Sequence, residues 1–267
     1  MNRTFIDDEL KPFGYFIAAI CVNELNQKRK KVIHMNITIF NEGRDERRKP
    51  EVLTVYPDTI GGVLKDIVAE MEEVTLLNIG SLYDEECGLT ESILEKTDVL
   101  IYWSHGGNHE FPDRIAKRIQ EQVLRGMGFI VLHSAIGCKA FKALMGTTCT
   151  FRYQHDVKEQ VICCNPTHPI AEGIEERFEL SKEESYGEFM DIPKPDDVIF
   201  LGWFENGEAC RSGCTFTRGN GKIFFFQPGH ETNPSFYHPQ IRKIIQNACR
   251  WAKPTYKMPK VFEHRPL

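Results

Sequence analysis

The sequence predicts an α/β fold, a three-layer sandwich in which a mainly parallel, doubly wound sheet carries helices on both faces. Short aliphatic runs recur without alternation, as strands buried on both faces require. Between them lie longer segments whose apolar residues recur every three to four positions, the succession of a parallel sheet. The clearest junction is the stretch from Gly126 to Gly137, where the run Phe129 to Leu132 breaks off at His133 and Ser134 before a second helical pattern begins. It reads as strand, tight turn, helix. The two polar residues then stand beyond the carboxyl end of a strand, where open α/β sheets take their ligands.

The first strand is Asn36 to Phe40, followed by a polar loop from Asn41 to Lys49. A helix follows from about Thr59 to Glu72, with Asp58 as its N-cap and Ile60, Val63, Leu64, Ile67, Val68 and Met71 on one face. Val74 to Ile79 and Asp98 to Trp103 are the second and third strands, separated by a short helix at Thr90 to Leu94. Pro112 opens the next helix, Ile115, Ile119 and Val123 stack along it, and Gly126 ends it. After the elbow a helix runs from Lys139 to Met145. Tyr153 to Cys164, Val198 to Trp203 and Lys222 to Gln227 read as further strands, Phe178 to Asp191 as a polar acidic stretch, and Pro239 to Trp251 as the closing helix. The organisation is one domain over 35–253, a peripheral extension over 1–34 and a tail over 254–267.

The chain has 267 residues, 41% of them hydrophobic, enough for one sizeable core. A net charge of −5 argues against a nucleic-acid backbone binder. The apolar run Phe13 to Val22 is too short to span a bilayer and follows acidic rather than basic residues, so neither a membrane anchor nor a signal peptide is expected and the location is cytoplasmic. Nine cysteines without regular spacing fit reduced thiols. Cys163-Cys164 and Cys210 with Cys214 are read as small core hydrophobes ahead of metal or redox pairs.

His105, His133 and His230 each lie just past the end of a predicted parallel strand. Imidazole serves as a general base near neutral pH and as a ligand for borderline metals, and three at one sheet edge suggest a shared site. A divalent metal, zinc first, would fit His105, His133 and His230, while histidines that bind sugar hydroxyls give the same pattern. Gly106-Gly107 before a helix could offer N–H groups to an anion. The spacing matches neither the phosphate loop nor the dinucleotide fingerprint, so no nucleotide cofactor is expected. In the cluster from Glu183 to Glu188 a carboxylate could orient a histidine or move a proton, or the stretch could be solvated. Arg211 could bind a substrate oxygen or face solvent.

The runs Tyr102–His105, Gly126–Ser134, Leu144–Cys149, Pro166–Pro169, Glu184–Glu188, Arg211–Phe216 and Pro228–Thr232, in this order, resemble the trehalose-utilisation (ThuA-like) family over about Met35 to Ala252. The resemblance implies the class I glutamine amidotransferase-like, flavodoxin-like sandwich. Amidotransferases of that fold carry a cysteine at the elbow and a later His-x-Glu; here the elbow offers His133-Ser134 and the later motif is His230-Glu231. Glutaminase chemistry is therefore not expected, Cys138 falling inside the next helix. Two stretches depart from the family pattern: Asp45-Glu46 stands where it has His-Glu, and Tyr56-Pro-Asp-Thr-Ile-Gly61 where it has Tyr-Pro-x-Gly-Ile-His.

The expected function is carbohydrate catabolism, on a disaccharide or keto-sugar derivative, by hydrolytic or eliminative chemistry. His133, His230 and Glu184 are the expected catalytic groups; Ser134, Tyr186, Arg211 and Glu231 the expected substrate contacts. The alternative is a non-catalytic sugar-binding or regulatory protein that keeps the pocket. The partner is a small sugar or sugar derivative, with nucleic acid and membrane excluded and a homo-oligomer left open.

Overall fold

The computed structural model describes residues 34–260. The expectation of a peripheral extension over 1–34 lies, but for His34, outside them, as do residues 261–267 of the tail. The first half alternates strand and helix: β1 (Met35–Asn41), α1 (Arg44–Arg48), α2 (Pro50–Val55), α3 (Thr59–Ala69), β2 (Val74–Gly80), α4 (Glu91–Lys96), β3 (Val99–Trp103), α5 (Asp113–Arg125), β4 (Gly128–Leu132) and α6 (Lys139–Met145). The second half is strand-rich: β5 (Arg152–Cys163), β6 (Arg177–Gly187), β7 (Asp197–Phe204), β8 (Ala209–Arg218), β9 (Gly221–Phe226) and the closing helix α7 (Pro239–Ala252).

The nine strands of the described residues form one sheet in the order β2-β1-β3-β4-β9-β8-β7-β5-β6. From β2 to β9 neighbours pair in parallel; from β9 to β6 every pairing is antiparallel. The sheet is thus mixed, which corrects the expectation of a mainly parallel one. The reason is local: Gly219 and Asn220 alone join β8 to β9, and Glu205 to Glu208 join β7 to β8. Such connections close hairpins, whereas parallel neighbours need a crossover of a dozen or more residues.

Three segments depart from the sequence expectation. The polar loop after β1 coils into α1, and the acidic stretch is strand β6. Residues 209–218, assigned no element from sequence, form β8, a run of small residues with Gly213 where a Cβ would come 2.5 Å from the Phe200 ring. At the start of α3 the expected cap Asp58 makes no side-chain bond; Thr59 Oγ1 accepts the Gly62 N–H at 3.2 Å instead.

The lack of alternation in the central strands follows from burial on both faces. In β4, Ile130 and Leu132 pack with α3 and α7, while Phe129 and Val131 pack with α5 and α6.

Glu159 of β5 is fully buried, and burial holds its carboxyl well above the usual 4.5, with Glu183 adding in the same direction. A folded-state pKa above the unfolded value gives stability that is present below about 4.5 and lost as pH rises. Glu159→Gln removes that protonation cost, roughly 1.4 kcal/mol per pH unit above the unfolded pKa. The melting temperature of Glu159→Gln should therefore exceed that of the native chain by a margin that widens as pH rises above about 4.5, the unfolded value; a constant margin would refute the assignment.

Candidate functional site

At the carboxyl edge His105 follows β3, His133 follows β4 and His230 follows β9. Their ring centroids lie 6.0 Å (His105 to His133), 5.4 Å (His105 to His230) and 5.4 Å (His133 to His230) apart. Glu184 of β6 completes the group: one ligand-capable atom from each of the four lies within 4.8 Å of the others. The edge brings together residues 125 positions apart in the chain because β9 inserts beside β4.

Each histidine is fixed by its neighbours. His133 sits in the left-handed region at φ 55, an uncommon conformation for a residue with a Cβ. Its Nδ1 lies 2.8 Å from the Gln227 carbonyl, which can only accept, so Nδ1 holds the proton and Nε2 faces Glu184 Oε2 at 3.1 Å. Tyr186 stacks on the same ring at 5.3 Å, and its hydroxyl is 2.9 Å from Ser134 Oγ. His105 Nδ1 meets Asp45 Oδ2 at 2.7 Å. Asn108 ties the two turns together, donating to the carbonyls of His105 and Ser134, each at 3.0 Å.

His230 is held through its backbone. The buried Glu183 carboxylate accepts N–H bonds from Gly229 and His230, both at 3.1 Å, and is also bonded by Ser235 Oγ and Asn233 Nδ2. His230 Nδ1 lies 3.0 Å from Thr232 Oγ1. Glu231 of the same loop bonds Lys49 Nζ at 2.7 Å, and Lys49 also reaches Asp45 at 3.4 Å.

These surroundings set the charges. Burial disfavours an ionised Glu184, but His133, His230 and His155 outweigh it and hold the carboxyl down at about 2. Burial also opposes a charged His133, yet Glu184 and Glu183 raise its pKa above the usual value. His230 goes the other way, to about 4, through burial and the neighbouring His133. Burial is offset likewise at Asp45 and Glu231, both held below the carboxylate range by His105 and Lys49.

Of the residues singled out from sequence, His105, His133, His230, Glu184, Glu231, Ser134 and Tyr186 thus share one site. Arg211 is directed elsewhere: its guanidinium pairs with Glu188 at 2.8 and 3.0 Å and donates to the Met190 carbonyl. His109 is exposed and pairs with Glu110. The Gly107 N–H, a potential anion contact, is taken by Glu42 Oε2 at 2.9 Å. Cys138 caps α6, and burial pushes its thiol up to about 12.

Sequence reasoning missed His155, Asp45 and Lys49. His155 Nδ1 lies 3.1 Å from Glu184 Oε1, and its half-exposed ring is 5.1 Å from that of His230. A break in the β5 register between Gln154 and Val157, with Asp156 at φ 62, places it there. The signal available was a histidine inside a strand pattern, flanked by Gln154 and Asp156; the bulge itself has no signature in sequence.

The donor atoms suit a divalent metal. His230 Nε2 is buried without a hydrogen-bond partner, His133 Nε2 meets only Glu184 of the same group, and His105 is backed by a carboxylate, as metal-bound imidazoles commonly are. A second group, Asp45, His105 and Glu231, already has Lys49 as its cation. Among the described residues, no helix is long and apolar enough to cross a membrane.

Comparison with known proteins agrees with the topology. A putative ThuA-like protein from Parabacteroides merdae superposes with a TM-score of 0.61 at 17% identity, over 85% of this chain and 93% of that one. One from Bacteroides uniformis gives 0.60 at 14%, over 84% and 94%. A cytoplasmic protein from Salmonella typhimurium gives 0.56 at 11%, over 83% and 100%. At these identities the likeness is one of fold. No curated protein matches by sequence. The trehalose-utilisation (ThuA) family profile matches residues 38–252, which include every histidine of the site, and the chain belongs to that family.

Proposed function

We propose that this protein acts on a disaccharide or keto-sugar derivative in carbohydrate catabolism, by hydrolytic or eliminative chemistry. The observation that carries the reading is the convergence of His133, His230 and Glu184 at one edge, with two adjacent imidazoles driven in opposite directions. Such divergence separates acid from base. Neutral His230 accepts the Thr232 N–H on Nδ1 at 3.3 Å and so carries its own proton on Nε2; His133, charged beside ionised Glu184, is the acid, and the Glu184 carboxylate is the group that can take a proton. In an elimination Glu184 takes a proton from carbon, the C–H pair becomes the C=C bond, and the departing oxygen takes its proton from His133. Ser134, Tyr186 and Glu231 hold sugar hydroxyls. Glutaminase chemistry is no part of the reading, since the elbow side chain is an imidazole.

The test is turnover and affinity on a panel of disaccharides and their keto derivatives, with the native chain and His133→Asn. Loss of turnover with affinity retained supports catalysis; equal binding with no turnover by either protein favours the non-catalytic sugar-binding reading. A cytoplasmic location, absence of nucleic-acid and membrane partners, and self-association belong to the same proposal.

A second reading follows from the convergence of four side chains and from His230 Nε2, buried without a hydrogen-bond partner. His105, His133, His230 and Glu184 would hold a divalent metal such as zinc, which when bound would polarise a sugar oxygen. Protein purified without chelator is then expected to contain near-stoichiometric metal, and added zinc to raise the melting temperature in the native chain but not in His230→Ala. Substoichiometric metal with no thermal shift assigns the histidines to proton transfer and sugar binding instead.

A further inference from the structure

Beyond the ends of β1 and β2 lies a second pocket, of about 400 Å³, that no histidine lines. Its volume is within the range of small-molecule sites. Helix α1 stands between it and the histidine cluster: Asp45 bonds His105, whereas the next residue, Glu46, lines the pocket. Two lining side chains carry unspent hydrogen-bonding capacity. Asn41 and Glu46 are only 5% and 8% exposed, and Asn41 Oδ1 and Glu46 Oε2 have no donor among the described residues. Their other atoms are engaged, Asn41 Nδ2 donating to Glu46 Oε1 at 2.6 Å. Two buried acceptors without donors cost stability unless a ligand supplies the hydrogens.

The rest of the lining narrows the ligand. Leu53, Ile79 and Tyr83 keep 40%, 37% and 44% of their surface exposed, an apolar wall at a pocket mouth. Glu46 and Asp84 outnumber the one cation, Arg47, whose guanidinium lies 3.5 Å from the Tyr83 ring centroid. That balance disfavours an anion. A molecule that offers hydroxyl donors on its rim and an apolar C–H face matches both walls.

We infer that this pocket is a separate binding site for a neutral, hydroxyl-bearing ring of monosaccharide size, which donates to Asn41 and Glu46 and lies against Tyr83 and Leu53. The site is independent of the chemistry at the histidines and shares with that reading only the class of ligand.

Methyl α-D-glucoside titrated into ¹⁵N-labelled full-length protein tests it. Saturable shifts are expected at the amides of Gly43, Ser81 and Tyr83, retained in His133→Asn. They should weaken at least about tenfold in Leu53→Trp, whose indole fills the mouth from an already exposed position. Tyr83→Ala, at another exposed position, should also weaken them and guards against misfolding of the first variant. Shifts confined to the neighbours of His133 and His230 overturn the second site and leave the histidine reading standing. Shifts only at Gly43, Ser81 and Tyr83 support it and count against that reading. Shifts at those three amides with sulfate or ethylammonium but not the glucoside overturn the ligand class, and no shift in the pocket with any probe overturns the site.

Discussion

Replacing Glu183 with alanine is expected to destabilise the fold by about 3–5 kcal/mol, because several buried donors lose their shared acceptor at a cost of about 1–3 kcal/mol each. Those donors are the amides of Gly229 and His230, Asn233 Nδ2 and Ser235 Oγ. The loop they belong to presents His230 and Glu231, so the loss should fall on the site as well as on stability. Glu183→Gln keeps one acceptor oxygen and should fall between. Glu179→Ala, at an exposed position of the same strand, should stay within about 0.5 kcal/mol. Urea denaturation followed by circular dichroism reads all three; a Glu183→Ala chain as stable as Glu179→Ala would show that the loop is held by other contacts.

The largest functional effect is expected at the His133 and Glu184 pair. Removing a positioned acid or base costs typically 10²–10⁴-fold in rate, so His133→Asn and Glu184→Gln should each reduce turnover of a sugar substrate by about that factor. Asparagine suits the position because it tolerates the left-handed backbone that His133 adopts at φ 55. The elbow should therefore keep its shape, and a small change in denaturation midpoint would separate lost chemistry from lost fold. Because the two groups face each other at 3.1 Å, the double variant should be little worse than either single one. Multiplicative losses would mean that they act in separate steps.

Much of the parallel half was legible locally. The strand through Leu132, the turn at His133 and the α6 boundaries at Lys139 and Met145 follow from an apolar run, a polar break and a small-residue stop, all set by neighbours in sequence. The antiparallel half was less so. Arg177 to Leu180 does alternate outward charge with inward Phe178 and Leu180, but from Glu183 onward the strand is buried on both faces, and its carboxylates look like solvent-facing residues until their partners are known. β8 is hidden by small and polar residues whose burial depends on Phe200 across the sheet.

The sequence by itself determined the family, the βα rhythm of the first half and the three histidines at strand ends, because each depends on short-range pattern or on motifs in fixed order. Only the tertiary structure decided that β9 lies beside β4, which puts His230 within 5.4 Å of His105 and His133. It also decided the environments that tune them. Asp45 behind His105, His155 beyond Glu184 and Glu183 beneath His230 come from segments 29 to 60 positions away. Charge and hydrogen bonding act through space, so the pKa of an imidazole depends on packing that no window along the chain contains.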